Sequence, residues 1–85
     1  MMTVLIDGNK IKTKEDFYKK IRQDLSLPEY FGNNLDALFD VLTERNDSIV
    51  FEFFSFNLLE DNLGRSFLSG LLRLLEDIKA SAIIH

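Results

Sequence analysis

The sequence predicts an α/β fold in which a small three-stranded parallel sheet packs against three to four helices. Apolar runs of β-forming residues alternate along the chain with segments of helical apolar spacing, which is typical of parallel sheets. The central run, residues 49–54, is apolar except at Glu52, and this indicates a strand covered on both faces. At 85 residues, the chain is expected to form a single domain over residues 1–85.

The first strand and the first helix are predicted from local signals. Residues 2–6 are a run of β-forming residues that ends at the turn pair Asp7-Gly8. From residue 14 to residue 25, apolar side chains recur at every fourth position, which indicates an amphipathic helix. Thr13, with Asp16 three residues later, is typical of a capping signal at the start of that helix.

A second helix is predicted after the only proline of the sequence. Pro28 disfavours helical backbone at the residue before it, so the first helix should end earlier. Asn33 is a suitable N-cap, because its side-chain carbonyl can accept from the free amides of the next turn. Asp36 adds a negative charge at the positive end of the helix dipole. We therefore expect a helix over about residues 34–43.

The second helix should carry two neighbouring stripes of different chemistry. The apolar stripe consists of Leu35, Leu38, Phe39 and Leu42. The polar stripe consists of Asp36, Asp40 and Thr43. Phe39 lies on the border between them. The pattern also fits an ordinary surface helix, in which Asp36 supports the cap, Asp40 is solvated and Phe39 belongs to the core.

The second half of the chain predicts one or two helices and a terminal strand. Residues 55–63 fit either a short helix or an ordered loop, and Gly64 separates them from the next segment. Residues 65–79 carry a long apolar stripe at helical spacing. Residues 80–84 are a last apolar segment and are expected to form the third strand. Right-handed crossovers would join the strands into the parallel sheet.

The net charge of −4 is distributed unevenly. Residues 1–22 carry six basic and three acidic side chains, whereas residues 23–61 carry nine acidic side chains and one basic side chain. Residues 62–85 carry three basic and two acidic ones. The acidity is thus concentrated around the second helix. A field of this sign repels nucleic acid and favours encounter with basic partners.

Several kinds of chemistry are excluded by what the sequence lacks. It has no cysteine, and its one histidine is His85, so neither a Ser-His nor a Cys-His arrangement is expected. The four glycines are too scattered for a phosphate-binding loop. Asp36 and Asp40 could act as acid and base, or bind a cation with Glu44, but an exposed pair lacks the burial and the oxygen ligands that these roles need. We expect no enzymatic activity, no cofactor and no metal site.

The composition favours a cytoplasmic location. No apolar run is long enough to cross a bilayer. The apolar run at the start of the sequence is too short for the core of a signal peptide. The lack of cysteine suits a reducing compartment. We therefore expect neither a membrane nor a nucleic acid as a partner.

Residues 27–40 closely resemble the corresponding segment of the barstar family of bacterial intracellular ribonuclease inhibitors. The shared order is Pro-Glu-Tyr, an aromatic residue, Gly, any residue, Asn-Leu-Asp-Ala-Leu, an aromatic residue and Asp. The likeness extends more loosely over the whole chain, in the order and approximate length of the strands and helices. It implies a three-stranded parallel sheet with helices, which is also the fold that the residue pattern predicts.

The resemblance further implies an inhibitor that forms a 1:1 complex with a small, basic, extracellular-type ribonuclease of the barnase type. In this family the second helix and the loop before it block the active site of the enzyme. The resemblance implies that Asp40 lies where the substrate phosphate binds and that Asp36 adds a second carboxylate. The matching partner-binding positions are Tyr30, Asn34, Asp36, Phe39, Asp40, Thr43 and, on the last helix, Glu76.

Four positions depart from the pattern of the family. Phe39 stands in place of a tryptophan, and Asn33 in place of an acidic residue. Glu44 and Arg45 stand in place of a glycine and a tryptophan. These departures leave the target open. The alternative is an acidic binding module of the same fold whose partner is not a ribonuclease, and a third reading is a small carboxylate- or metal-dependent enzyme.

Overall fold

The computed structural model describes residues 1–45 and 47–85. The strands in this part of the chain form one parallel sheet in the order β1-β2-β3. The α/β class and the three-stranded parallel sheet are therefore confirmed. The elements follow one another as β1 (Met2–Asp7), α1 (Lys14–Leu25), α2 (Leu35–Glu44), β2 (Ile49–Phe54), α3 (Phe56–Leu63), α4 (Arg65–Asp77) and β3 (Ser81–Ile84).

The observed helices follow the predicted ones closely. α1 has the predicted bounds and begins with the predicted capping box between Thr13 and Asp16. α2 begins and ends one residue later than predicted. The ambiguous segment 55–63 contains a helix, α3. α4 ends at Asp77 rather than at residue 79, because Lys79 adopts left-handed backbone with φ of 59°.

The helices cover one face of the sheet and leave the other partly open. Each crossover joins neighbouring strands in the same direction along the sheet, so two crossovers of the usual right hand lie on the same side. On β2, Phe51 and Phe53 are fully buried, whereas Val50, Glu52 and Phe54 on the opposite face are partly exposed. The prediction that this strand is covered on both faces was wrong. A near-continuous apolar run does not reveal on which side the crossovers lie.

The core between the sheet and the helices contains an aromatic cluster. The ring of Tyr18 on α1 lies edge-on to Phe17 and to Phe67, with ring centroids 5.1 and 6.1 Å apart. Burial raises the pKa of Tyr18 to about 12, which strengthens the preference of its hydroxyl for the neutral form. The cluster joins α1 to the first turn of α4.

Among the regular elements, α2 has α4 as its closest neighbour, whereas α1 approaches β1 and α4 approaches β3. Gly70 on α4 permits this contact, because a Cβ at that position would stand 3.1 Å from Leu35 Cδ1. On α2, Leu38 and Leu42 are buried, and most of the remaining surface of the helix faces outward. None of the helices in the described ranges is long and apolar enough to span a membrane.

Replacing Gly8 by alanine is expected to lower the free energy of unfolding by about 1–3 kcal/mol. Gly8 follows β1 and donates its N–H to the carbonyl oxygen of Phe54 at 2.9 Å. An added Cβ would stand 2.5 Å from the carbonyl oxygen of Ser55, and this backbone cannot shift without disturbing the pairing of β1 with β2. Urea unfolding of Gly8→Ala measures the effect.

Gly32→Ala is the control for that measurement. A Cβ at Gly32 would stand 3.3 Å from Asn34 Nδ2, which needs to give by only a few tenths of an ångström, and at ordinary contact distance, 3.5 Å, from Ala37 Cβ. Its free energy of unfolding should therefore change by less than that of Gly8→Ala. Equal stability of the two variants would contradict the close approach between the segments that follow β1 and β2.

Candidate functional site

A side-chain hydrogen bond at Asn34 fixes the start of α2. Asn34 has extended backbone, and its Oδ1 accepts from the N–H of Ala37 at 2.8 Å. The prediction that Asn33 caps this helix was wrong by one residue. Asn33 Oδ1 instead accepts from Arg22 Nη1 at 2.6 Å, which ties the loop to α1. Two adjacent asparagines offer the same capping chemistry, so the sequence alone did not separate their roles.

The loop before α2 is anchored by one aromatic residue and exposes another. Phe31 is buried in the core, and its N–H donates to the carbonyl oxygen of Pro28 at 3.0 Å. Tyr30, its neighbour, is 89% exposed. The loop is therefore held at Phe31 and Asn33 while the ring of Tyr30 projects into solvent. Large exposed aromatic side chains are characteristic of surfaces that bind other proteins.

The polar stripe of α2 is exposed to solvent. Asp36, Asp40 and Thr43 all lie on the solvent side of the helix. No ion pair within residues 1–45 and 47–85 involves Asp36 or Asp40. Thr43 Oγ1 donates to the backbone carbonyl of Asp40 at 3.0 Å, which satisfies the hydroxyl proton within the helix. The two carboxylates are thus free to receive donors from a second molecule.

The basic residue that follows α2 is neutralised locally. Arg45 Nε and Nη2 donate to the two carboxylate oxygens of Asp47, each at 3.0 Å. The hydrogen bond from Arg45 holds the pKa of Asp47 below its usual value. The guanidinium is therefore engaged with Asp47 rather than with the acids of α2. The acidic character of the helix surface is preserved.

Phe39 lies on the border between the apolar stripe and the polar stripe of α2, where helical spacing predicts it. Its side chain is 39% exposed, so it lies at the surface and does not belong to the buried core. Leu35, one turn earlier on the same side, packs toward Gly70 of α4. Phe39 therefore stands between the acidic stripe and the contact of α2 with α4.

Glu76 is exposed in the last turn of α4. It is distant in the sequence from the other candidate residues, which lie on α2 and on the loop before it. Gly70 marks the side of α4 that faces α2. At about 100° per residue, Asp77 and Arg73 are rotated from Gly70 by about 20° and 60°, and Glu76 by about 120°. The helix thus turns Arg73 and Asp77 toward α2 more directly than Glu76. The sequence pattern did not single out Arg73, because the contact that sets this rotation lies between two distant segments.

The candidate site on α2 and the loop before it is suited to binding a partner molecule rather than a metal ion. Tyr30, Asn34, Asp36, Phe39, Asp40 and Thr43 lie on one helix and on the loop that leads into it. Within the described ranges, no group of three His, Cys, Asp or Glu side chains is placed to hold a metal ion. Exposed carboxylates on a capped helix can accept hydrogen bonds from arginine, lysine and histidine side chains of a partner.

The chain is similar to known proteins along most of its length. The family model described as "Barstar (barnase inhibitor)" matches residues 1–82. A protein of Bacillus subtilis (strain 168), named "Putative ribonuclease inhibitor YrdF", is 40% identical over 43 residues. This match covers 51% of the chain and 47% of that protein. The chain thus spans about half the length of the curated relative that it matches.

Asn34→Ala is expected to lower the free energy of unfolding by about 1 kcal/mol, because it removes the acceptor for the amide of Ala37. Asn34→Asp retains an acceptor and should keep most of the stability. Urea unfolding, with hydrogen exchange at the Ala37 amide, measures both variants. Fast exchange at Ala37 in Asn33→Ala, with slow exchange in Asn34→Ala, would contradict the observed cap.

Proposed function

Because the chain belongs to the barstar family, we propose that it inhibits a small basic ribonuclease of the barnase type by covering the active site of the enzyme with α2 and the preceding loop. The description of the family and the name of the Bacillus subtilis relative support this role. The observation that carries the proposal is the pair Asp36 and Asp40, which is exposed, unpaired within the described residues and set on a capped helix.

The proposed mechanism uses position and charge and involves no catalysis by the inhibitor. Asp40 takes the place of the substrate phosphate, so the groups that bind phosphate in the enzyme donate to its carboxylate instead. Asp36 lies one turn earlier on the same side of the helix, with Cβ atoms about 5–6 Å apart, and meets neighbouring basic groups. A carboxylate that receives charged donors in a site closed to water binds more strongly than one in solvent.

The residues around the two acids complete the proposed binding surface. Tyr30 and Phe39 supply aromatic area on the loop and beside the acidic stripe. Asn34 and Thr43 mark the beginning and the end of the covered part of α2. Glu76 on α4 is the outermost proposed contact. An acidic surface also attracts a basic enzyme over a distance of about 10 Å, and salt weakens that attraction.

A rigid support is part of the proposal. The cap at Asn34 and the buried ring of Phe31 hold the loop and the helix in one conformation before the partner arrives. Less conformational freedom is then lost on binding, which leaves more of the interaction energy for affinity. We further propose that the inhibitor acts as a single domain in the cytoplasm, in a 1:1 complex with the enzyme.

The second candidate is an acidic binding module of the same fold whose partner is not a ribonuclease. Phe39, Glu44 and Arg45 differ from the pattern of the family, and they lie on α2 or directly after it. The ion pair of Arg45 with Asp47 also defines the surface directly after α2. These differences favour a target that is not barnase itself, either a related ribonuclease or another basic protein.

Asp40→Ala is expected to weaken the complex with the target ribonuclease by about 3–5 kcal/mol, which is more than a hundredfold in Kd. The loss is large because the basic groups that surround the carboxylate in the complex are left buried and unpaired. The measurement is inhibition of a panel of small basic ribonucleases, barnase included, with Kd determined for each enzyme that is inhibited.

Asp61→Ala is the matched control. Asp61 is exposed on α3, an element that packs against α4, and it forms no ion pair with the described residues. It removes the same charge from the chain, so only the general attraction to a basic enzyme should change. Equal Kd values for Asp40→Ala and Asp61→Ala would contradict the proposed site. Tight binding to a basic protein that is not a ribonuclease, with no enzyme of the panel inhibited, would favour the second candidate.

A further inference from the structure

The exposed side of α4 continues the surface of α2. Gly70 faces α2, since a Cβ there would stand 3.1 Å from Leu35 Cδ1. A shallow groove runs along this side of α4. Five residues line it, and we call them the α4 flank: Arg65, Ser66, Ser69, Gly70 and Arg73. A protein that covers α2 near Leu35 therefore also meets the α4 flank.

Arg73 is the arginine of the flank that lies closer to α2. It follows Gly70 by one turn and is rotated from it by about 60°, whereas Arg65 is rotated by about 140° in the same direction. Arg73 is exposed. Its guanidinium is thus presented to solvent beside the contact of α2 with α4.

Arg73 also differs from the other arginines in its partners. The other three bind acceptors within the chain: Arg22 with Asn33, Arg45 with Asp47 and Arg65 with Glu60. Arg73 has no such partner in the described part of the chain. Asp77 lies four residues later on the same side of α4, yet the two side chains form no ion pair.

We propose that Arg73 determines specificity by pairing with a carboxylate of the target ribonuclease, a proposal that rests on the proposed function. The binding surface then combines two carboxylates on α2 with one guanidinium on the α4 flank. A guanidinium binds a carboxylate through two parallel hydrogen bonds, and arginine is enriched among the residues that dominate binding energy. The target accordingly carries an acidic residue at the rim of its basic active site, opposite the last helix of the inhibitor.

A direct contact at Arg73 and general electrostatic attraction predict effects of opposite sign. The chain has a net charge of −4, and the target is basic. If only long-range attraction mattered, replacing a basic residue by glutamate would speed association and tighten the complex. A pair between Arg73 and a carboxylate of the enzyme predicts that the same change weakens the complex, because two negative charges would then face each other.

The test compares Arg73→Glu with Lys10→Glu. Both variants change the net charge equally, and Lys10 lies at a groove on the open side of the sheet that includes Leu5 and Phe54. Kd is measured at low salt for the ribonuclease of the panel that the wild-type chain inhibits most strongly. Arg73→Glu should raise Kd by at least about tenfold, whereas Lys10→Glu should leave it unchanged or lower it.

A charge exchange identifies the residue that Arg73 contacts. Acidic residues at the rim of the enzyme are replaced by lysine one at a time, and one of these variants should restore tight binding of Arg73→Glu. Circular dichroism and urea unfolding check that both inhibitor variants are folded. Unchanged or tighter binding by Arg73→Glu would overturn the inference and leave the proposed function standing. Failure of the wild-type chain to inhibit any enzyme of the panel would overturn the proposed function, and the contact at Arg73 with it.

Discussion

Strands that are consecutive in the sequence are also neighbours in the sheet, and the position of α2 follows from this constraint. Both crossovers lie over the same face, where α1 approaches β1 and α4 approaches β3. α2 buries its apolar stripe mainly next to α4. Gly70 allows the two helices to approach closely, since a side chain there would meet Leu35. The other side of α2 is left outside the fold, and this exposed side carries the acids.

The charge pattern of the surface depends on which side chains are already paired. Arg45 is engaged with Asp47, and Lys20 with Asp24, one helical turn apart. Exposed pairs of this kind contribute at most about 1 kcal/mol to stability, so their larger effect is on the electrostatic field. The pair of Arg45 with Asp47 neutralises the guanidinium that directly follows α2. The acids of the helix stay unpaired in the described structure and available for a partner.

Most elements could be predicted because their signals are local. A few neighbouring residues are enough to recognise each of them: the capping box at Thr13, the helix break at Pro28 and the apolar runs of the strands. The acidic stripe also follows from helical spacing alone. The binding role proposed for its residues rests on the resemblance to the barstar family, because an exposed pair of aspartates has no chemistry of its own that indicates inhibition.

The features that the sequence did not predict depend on contacts between distant segments. The cap fell on Asn34 rather than Asn33 because Arg22, on another helix, binds the side chain of Asn33. The open face of β2 follows from the direction of the crossovers, which no single run of residues encodes. The contact of Gly70 with Leu35 fixes which side of α4 faces α2. The position of Arg73 beside α2 is therefore evident only from the structure.

The most direct test of the central claim is amide hydrogen exchange of the chain, alone and in complex with the ribonuclease of the panel that binds it most tightly. We predict slower exchange in the complex over the loop before α2 and along α2, and on α4 near Arg73. No change is expected on the open face of the sheet around Leu5 and Ile83, which are about half exposed in the free chain. Protection confined to the open face of the sheet, with none on α2, would contradict the claim that α2 is the inhibitory surface.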